Sequence, residues 1–112
     1  MQMMGYGSGG AFGEILHDNV CLNREGTICA PMKFVGVAGV QGLEGLQADG
    51  IVGLSPTGMG AQLFMQSLFE TGAIDKNIMA FSIGKGDEPS SVTIGSYEPE
   101  GNVVPGTPIV WH

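Results

Sequence analysis

The 112-residue sequence predicts a single small domain that is mainly β, with one short helix over about residues 61–71. Its 20 glycines are typical of turn-rich β structure. Segments rich in β-favouring residues alternate with turn sequences, whereas helical periodicity occurs once. Because 43% of the residues are hydrophobic and 13% are charged, enough apolar surface is available to offset the entropy cost of ordering one domain.

The first predicted pair of elements is a β-hairpin. Residues 11–22 mix β-favouring and polar residues without a helical stripe, which predicts a strand. Asn23 and Gly26 begin and end a tight-turn sequence, since both residue types tolerate left-handed backbone conformations. Residues 27–40 resume the β pattern, so the hairpin is centred near Glu25.

This hairpin places the two cysteines opposite each other. Folding about Glu25 sets Cys21 across from Cys29, within the range where cross-strand side chains meet. A disulfide is therefore geometrically possible in an oxidising compartment, and a pair of free buried thiols is the alternative. No metal site is expected, because these cysteines and the distant His17 and His112 do not form a four-ligand set.

The middle of the chain predicts a loop, a short strand and the helix. Residues 41–48 are polar and glycine-rich, whereas residues 49–54 are mostly apolar and predict a short buried strand. The helix over residues 61–71 is predicted from apolar residues that recur at helical spacing, with Gly72 as its C-terminal stop. The apolar residues of this stripe, which we expect to pack in the core, are Ala61, Phe64, Met65, Leu68 and Phe69.

A second hairpin and an extended tail are predicted after the helix. Residues 78–83 and 91–95 are β-like, and residues 84–90 between them have the composition of a hairpin loop. Residues 103–112 are strand-like and contain two prolines, which favour an edge position.

The charge balance excludes several classes of partner. The net charge is −7, with 4 Lys and Arg residues against 11 Asp and Glu residues. So few and scattered cations cannot form a surface for nucleic acid or anionic lipid. The longest apolar run, residues 34–40, is far shorter than the roughly 20 residues of a membrane helix, so no membrane span is predicted. The first five residues have neither the cationic nor the apolar region of a signal peptide.

Short motifs for cofactors and nucleophiles give no site. Gly5, Gly7 and Gly10 match the spacing G-x-G-x-x-G. A dinucleotide site also needs a strand before these glycines and a helix after them, and the sequence predicts neither. The sequence contains no G-x-S-x-G motif for a nucleophilic serine. We therefore predict no cofactor.

Three segments, in this order, resemble the N-terminal lobe of pepsin-like aspartic endopeptidases. Residues 6–13 (YGSGGAFG), followed by a D-x-V sequence, are similar to the flap hairpin of that family. Residues 48–54 (ADGIVGL) are similar to the strand that crosses beneath the active-site loop. Residues 81–83 (FSI) and 91–95 (SVTIG) are similar to the hairpin that closes the lobe. The resemblance spans nearly the whole chain.

The resemblance implies a partial lobe of a bilobal, pepsin-like acid-protease β-barrel. Residues 1–112 then form one partial domain that lacks the first strands of the lobe and the whole second lobe. Neither of the family's two Asp-Thr/Ser-Gly motifs occurs in the sequence, and family order places them before residue 1 and after residue 112. The parent chain is expected to be an aspartic-type endopeptidase, whereas this chain has no catalytic residue and is expected to be inactive alone.

The resemblance assigns several residues of this chain to substrate binding. Tyr6, Gly7 and Ser8 correspond to the flap, with the Tyr6 hydroxyl bonded to the body of the lobe and the other two facing the substrate main chain. The glycines of this tip are expected to supply positive φ angles and close backbone approach. Ile51 corresponds to the wall of an apolar subsite, and Asp49 to a hydrogen-bonded turn residue.

The resemblance also implies partners and a location. The partners are a peptide or protein substrate and the remainder of the parent protease chain, and the location is secreted, lysosomal or vacuolar. Ala48 stands where the family usually has an aromatic residue, which enlarges a pocket. The alternative function is a non-catalytic, protease-like β module that binds peptides, and a structural β domain without a ligand is a third.

Overall fold

The computed structural model describes residues 1–58, 62–97, 99 and 103–112. These residues form five strands and one short helix, which confirms the prediction of a mainly β chain. In chain order the elements are β1 (Gln2–Tyr6), β2 (Gly9–Cys21), β3 (Cys29–Gln41), α1 (Phe64–Glu70), β4 (Met79–Ser82) and β5 (Ser91–Ile94).

Strands β1, β2 and β3 form an antiparallel sheet in which β2 is central. The long pair β2 and β3, here called the ribbon, is the first predicted hairpin. Asn23 stabilises its turn, since its Oδ1 accepts hydrogen bonds from Thr27 N and Ile28 N at 3.1 Å each. Cys21 and Cys29 are register partners and are joined by a disulfide, so the bridge that the hairpin made possible is present.

The core lies where α1 packs against the turn end of the ribbon. Ala30 of β3 and Leu68 of α1 are both 0% exposed. Phe64 and Met65 belong to the same cluster, whereas Phe69, which the helical stripe placed in the core, is 45% exposed. Partly buried residues packed around the cluster come from the ribbon, the loops and both short strands: Val20, Ile28, Met32, Leu54, Ala73, Met79 and Ile94.

The helix is shorter than its predicted span. It begins at Phe64, and Ala61 of the prediction lies outside the described residues. Near its C-terminus the Thr71 hydroxyl donates to the Ser67 carbonyl oxygen at 2.9 Å. Gly72 then takes a left-handed backbone with φ of 76°, which confirms the predicted glycine stop.

The Gln62 side chain connects the start of α1 to the free edge of β3 through hydrogen bonds. Gln62 Nε2 donates to the Pro31 carbonyl oxygen at 3.0 Å and to Ser67 Oγ at 2.8 Å. Its Oε1 accepts a hydrogen bond from Lys33 N at 2.9 Å. The Gln62 amide thus takes the place of a neighbouring strand over these residues, and Pro31 itself offers no N–H at this edge.

The second predicted hairpin is present, but two predicted strands are not. β4 and β5 pair antiparallel, with Met79 opposite Ile94. Residues 49–54 form no strand, and Ile51 is 55% exposed, which corrects the prediction of a buried strand. The described residues give this segment no hydrogen-bonding neighbour, which a buried strand requires. Residues 103–112 are also irregular, and Trp111 packs edge-on against Tyr97 with ring centroids 5.1 Å apart.

The chain is extended and has a large surface for its mass. Its accessible surface is 8845 Å², whereas a compact monomer of 11.6 kDa exposes about 5,800 Å². The radius of gyration is 16.7 Å, compared with about 13 Å for a compact domain of this length. The ribbon accounts for this shape, because the core covers only its turn end.

Candidate functional site

A cavity of about 390 Å³ lies between one face of the three-stranded sheet and the loop that follows β3. This cavity is here called the flap cavity. The sheet contributes Met4, Tyr6, Ala11, Val35, Val37 and Val40. The loop contributes Leu43, Glu44, Leu46, Ala48, Asp49, Gly50 and Ile51. An apolar cavity with a few polar groups is the usual form of a ligand site.

A β-bulge brings three valines of β3 to the same face. The register pairs Gly13 with Val37 and Phe12 with Gly39, so β3 has one extra residue between these pairs. Because side chains alternate along a strand, Val37 and Val40 would otherwise point to opposite faces. The extra residue restores the alignment, and both valines line the flap cavity.

Two residues that the resemblance singled out meet in this cavity. Tyr6 from β1 and Ile51 from the loop both line it, although 45 positions separate them in the sequence. Both side chains are partly exposed to solvent. Gly7 and Ser8 form the two-residue connection between β1 and β2, are exposed, and lie outside the lining set. The structure therefore joins Tyr6 with Ile51 and leaves Gly7 and Ser8 at the hairpin tip.

Among the described residues, the Tyr6 hydroxyl contacts only its own strand. Its contact is with Met4 Sδ at 3.9 Å, two residues back on the same strand. A thioether sulfur is a weak acceptor, so this contact adds little to the orientation of the ring. The hydrogen bond from Tyr6 to the body of the lobe, which the resemblance implies, stays a prediction for the parent chain.

Space requires glycine at position 9 of the hairpin tip, but not at position 7. Gly7 and Gly9 do not have positive φ, in contrast to the expectation. A Cβ on Gly9 would overlap the Gln41 carbonyl oxygen and would lie 2.9 Å from the Gly42 backbone. Gly42 itself has a φ of 76°. The end of β3 therefore passes close to the tip, and Gly9 permits this approach.

Sequence reasoning missed most of the sheet side of the cavity. Met4 and Tyr6 are two positions apart on β1, so their shared face follows from strand alternation. Met4 pairs with Ala11, and Ala11 pairs with Val40, so these three residues form one row across the three strands. Alternation in residues 2–6 was the signal that could have placed Met4 in the site. The valines required knowledge of the bulge.

The polar groups of the flap cavity include two carboxylates. Glu44 Oε1 accepts a hydrogen bond from Gly42 N at 3.2 Å, which orients this side chain. Asp49 was expected to be a hydrogen-bonded turn residue, but its carboxylate accepts no hydrogen bond from the described part of the chain. Both residues are exposed at the loop surface.

Another cavity, of about 620 Å³, lies between the β4–β5 hairpin and the C-terminal segment. It is lined by Tyr97 and Trp111 among others, and contains none of the predicted site residues. Within the described ranges, no group of three or more His, Cys, Asp or Glu residues is placed to hold a metal ion. The same residues include no helix that is long and apolar enough to cross a membrane.

Comparison with known proteins gives no assignment. No family model, curated protein or solved structure matches the chain. The flap cavity and the residues that line it are therefore the observations on which a function can be argued.

Proposed function

We propose that this chain is the flap-bearing part of a pepsin-like aspartic endopeptidase, and that its lobe belongs to a longer parent chain. The observation that carries the proposal is the meeting of Tyr6 and Ile51 in one apolar cavity beside the β1–β2 tip. The resemblance assigns these two residues to the flap and to a subsite wall. The large accessible surface supports a parent chain that covers part of it.

In the proposed peptidase, this chain binds and orients the substrate. Tyr6 and Ile51 hold an apolar side chain of the peptide in the flap cavity. Gly7 and Ser8, exposed at the tip, offer backbone groups and a hydroxyl to the peptide main chain. Such positioning lowers the entropic part of the barrier, and closure of a hairpin over the peptide excludes water.

The chemical step in this proposal belongs to the parent chain. Two aspartates that share one proton activate a water molecule, which attacks the peptide carbonyl. The sequence here contains no Asp-Thr/Ser-Gly motif. We therefore expect the 112-residue chain to have no proteolytic activity by itself. The disulfide supports a secreted, lysosomal or vacuolar location, because such bonds persist in oxidising compartments.

The proposal is tested on the natural full-length protein, with its transcript sequenced beyond both ends of this reading frame. We expect in-frame Asp-Thr/Ser-Gly codons on both sides and acid proteolysis that pepstatin inhibits. Peptide binding without cleavage by a full-length protein that lacks both motifs would replace the proposal with the non-catalytic binding module.

Tyr6 gives a second test in the same protein. Tyr6→Ala removes the ring from the flap cavity. It should lower kcat/KM about 10- to 100-fold, because this factor corresponds to the free energy of burying one aromatic side chain against the substrate. Tyr6→Phe keeps the ring in the flap cavity and should therefore lose less activity than Tyr6→Ala. Unchanged kinetics for Tyr6→Ala, with a normal circular dichroism spectrum, would contradict the substrate-binding role.

A further inference from the structure

The charged groups of the flap cavity all have the same sign. Among the residues that the structure describes, Glu44 and Asp49 are the two carboxylates that line it, and no Lys, Arg or His does. Apart from Tyr6 and Gly50, the other lining residues are apolar. The cavity thus combines an apolar wall with a negative loop, and it requires a ligand that has both an apolar and a positive part.

The two carboxylates are available to a ligand. Both lie on the loop that closes the cavity, where they are exposed. Glu44 is oriented through one oxygen, which accepts from Gly42 N at 3.2 Å. An ionised carboxylate has two oxygens and about four acceptor positions, so acceptor capacity remains. Asp49 accepts nothing from the residues that the structure describes.

The opposite end of the same sheet face is positive. Lys33 lies two residues before Val35 on β3, and strand alternation places it on the face that lines the cavity. Its register partner is His17 on β2. The sheet face therefore runs from the cationic Lys33 near the turn end to the carboxylates at the loop. A ligand with one cationic group is directed to the Glu44 and Asp49 end.

We propose that the flap cavity selects an extended peptide in which one residue separates a large apolar side chain from a lysine or arginine, so that both side chains point to the same side. The apolar side chain enters the cavity against Tyr6 and the valines of β3. The cation two positions away then pairs with Glu44 and Asp49, whose charges the net charge of −7 reinforces. That the ligand is a peptide rests on the proposed function, whereas the charge selectivity rests on the lining residues.

The test measures binding of two synthetic peptides to the natural full-length protein by isothermal titration calorimetry at pH 7 and low ionic strength. The peptides share one leucine-containing sequence and differ only two positions from the leucine, where one has lysine and the other glutamate. We expect the lysine peptide to bind about threefold to tenfold more tightly, the range that one or two exposed ion pairs produce. This ratio should decrease in high salt.

Two double variants with equal changes in charge test whether the lysine selectivity comes from the flap cavity. Glu44→Gln/Asp49→Asn removes both cavity carboxylates and should bring the ratio close to one. Glu14→Gln/Asp18→Asn removes two exposed carboxylates of the ribbon that lie outside the flap cavity, and should keep the ratio of the unchanged chain. Because all four substitutions are isosteric and at exposed positions, the circular dichroism spectra should coincide.

Each outcome decides the inference. A ratio near one in the unchanged chain, or binding of neither peptide, overturns it. An equal decrease in both double variants also overturns it, since the selectivity would then come from overall charge. Lysine selectivity without cleavage by the full-length protein keeps the inference and refutes the peptidase. Pepstatin-sensitive cleavage without lysine selectivity refutes the inference alone.

Discussion

The disulfide of the ribbon allows a stability change to be calculated from the length of its loop. The bond joins Cys21 and Cys29, eight positions apart. A cross-link acts mainly by restricting the unfolded chain, and a loop of this length corresponds to about 2.5 kcal/mol at 25 °C. The turn keeps its own support from the Asn23 side chain. Cys21→Ala/Cys29→Ala should therefore retain the hairpin and lower the free energy of unfolding by about 2.5 kcal/mol.

Urea unfolding followed by far-ultraviolet circular dichroism measures this loss. For a small protein, 2.5 kcal/mol corresponds to a decrease of about 1–2 M in the midpoint. The natural sequence under reducing conditions should unfold with the double variant, because both lack the same cross-link. A midpoint equal to that of the oxidised chain would refute the reasoning, since it would show that the bridge does not restrict the unfolded state. A changed native spectrum would instead show that the bond shapes the hairpin.

Two further pairs of substitutions test the packing described above. Leu68→Ala should lower the free energy of unfolding by about 3–5 kcal/mol, because Leu68 is fully buried. Its neighbour Phe69 is half exposed, so Phe69→Ala should lower the same free energy by about 1 kcal/mol or less. Urea titration measures both. Gly9→Ala should disturb the pairing at the tip, visible as faster amide exchange at the end of β3, because its Cβ would overlap Gln41. Gly7→Ala should leave exchange unchanged, since nothing lies within 4 Å of the added atom.

The ribbon and its disulfide were predictable because their signals are local. The turn is encoded by Asn23 and Gly26, and Gly26 has the positive φ of 71° that this residue type permits. Once the turn is placed, the register of Cys21 with Cys29 follows by counting along the two strands. The glycine stop after α1 is local in the same sense, with φ of 76° at Gly72.

The sheet side of the flap cavity was not predictable because it depends on a register shift. One extra residue in β3 has no clear sequence signature in a stretch that alternates glycine with valine and alanine. Without it, strand alternation would have placed Val40 on the face opposite Val37. The prediction of a strand over residues 49–54 was wrong for a related reason. Its apolar residues are compatible with a buried strand, but strand formation requires neighbours that the described residues do not provide.

Several exposed apolar residues of the ribbon lie on the face that continues from the core. Along β2, Leu16 and Val20 share a face, and at Val20 this face is covered by the core around α1. Leu16 and Phe12 continue the same face beyond the helix and are both about half exposed, with the charged Glu14 between them. Phe34 continues it on β3. A module that folds alone would cover such a row, because apolar area of this kind stabilises a protein only when it is removed from water. The covered and uncovered parts lie on one face of the ribbon, with Glu14 and Asp18 between the apolar residues, and this is the face that the proposed parent chain would cover.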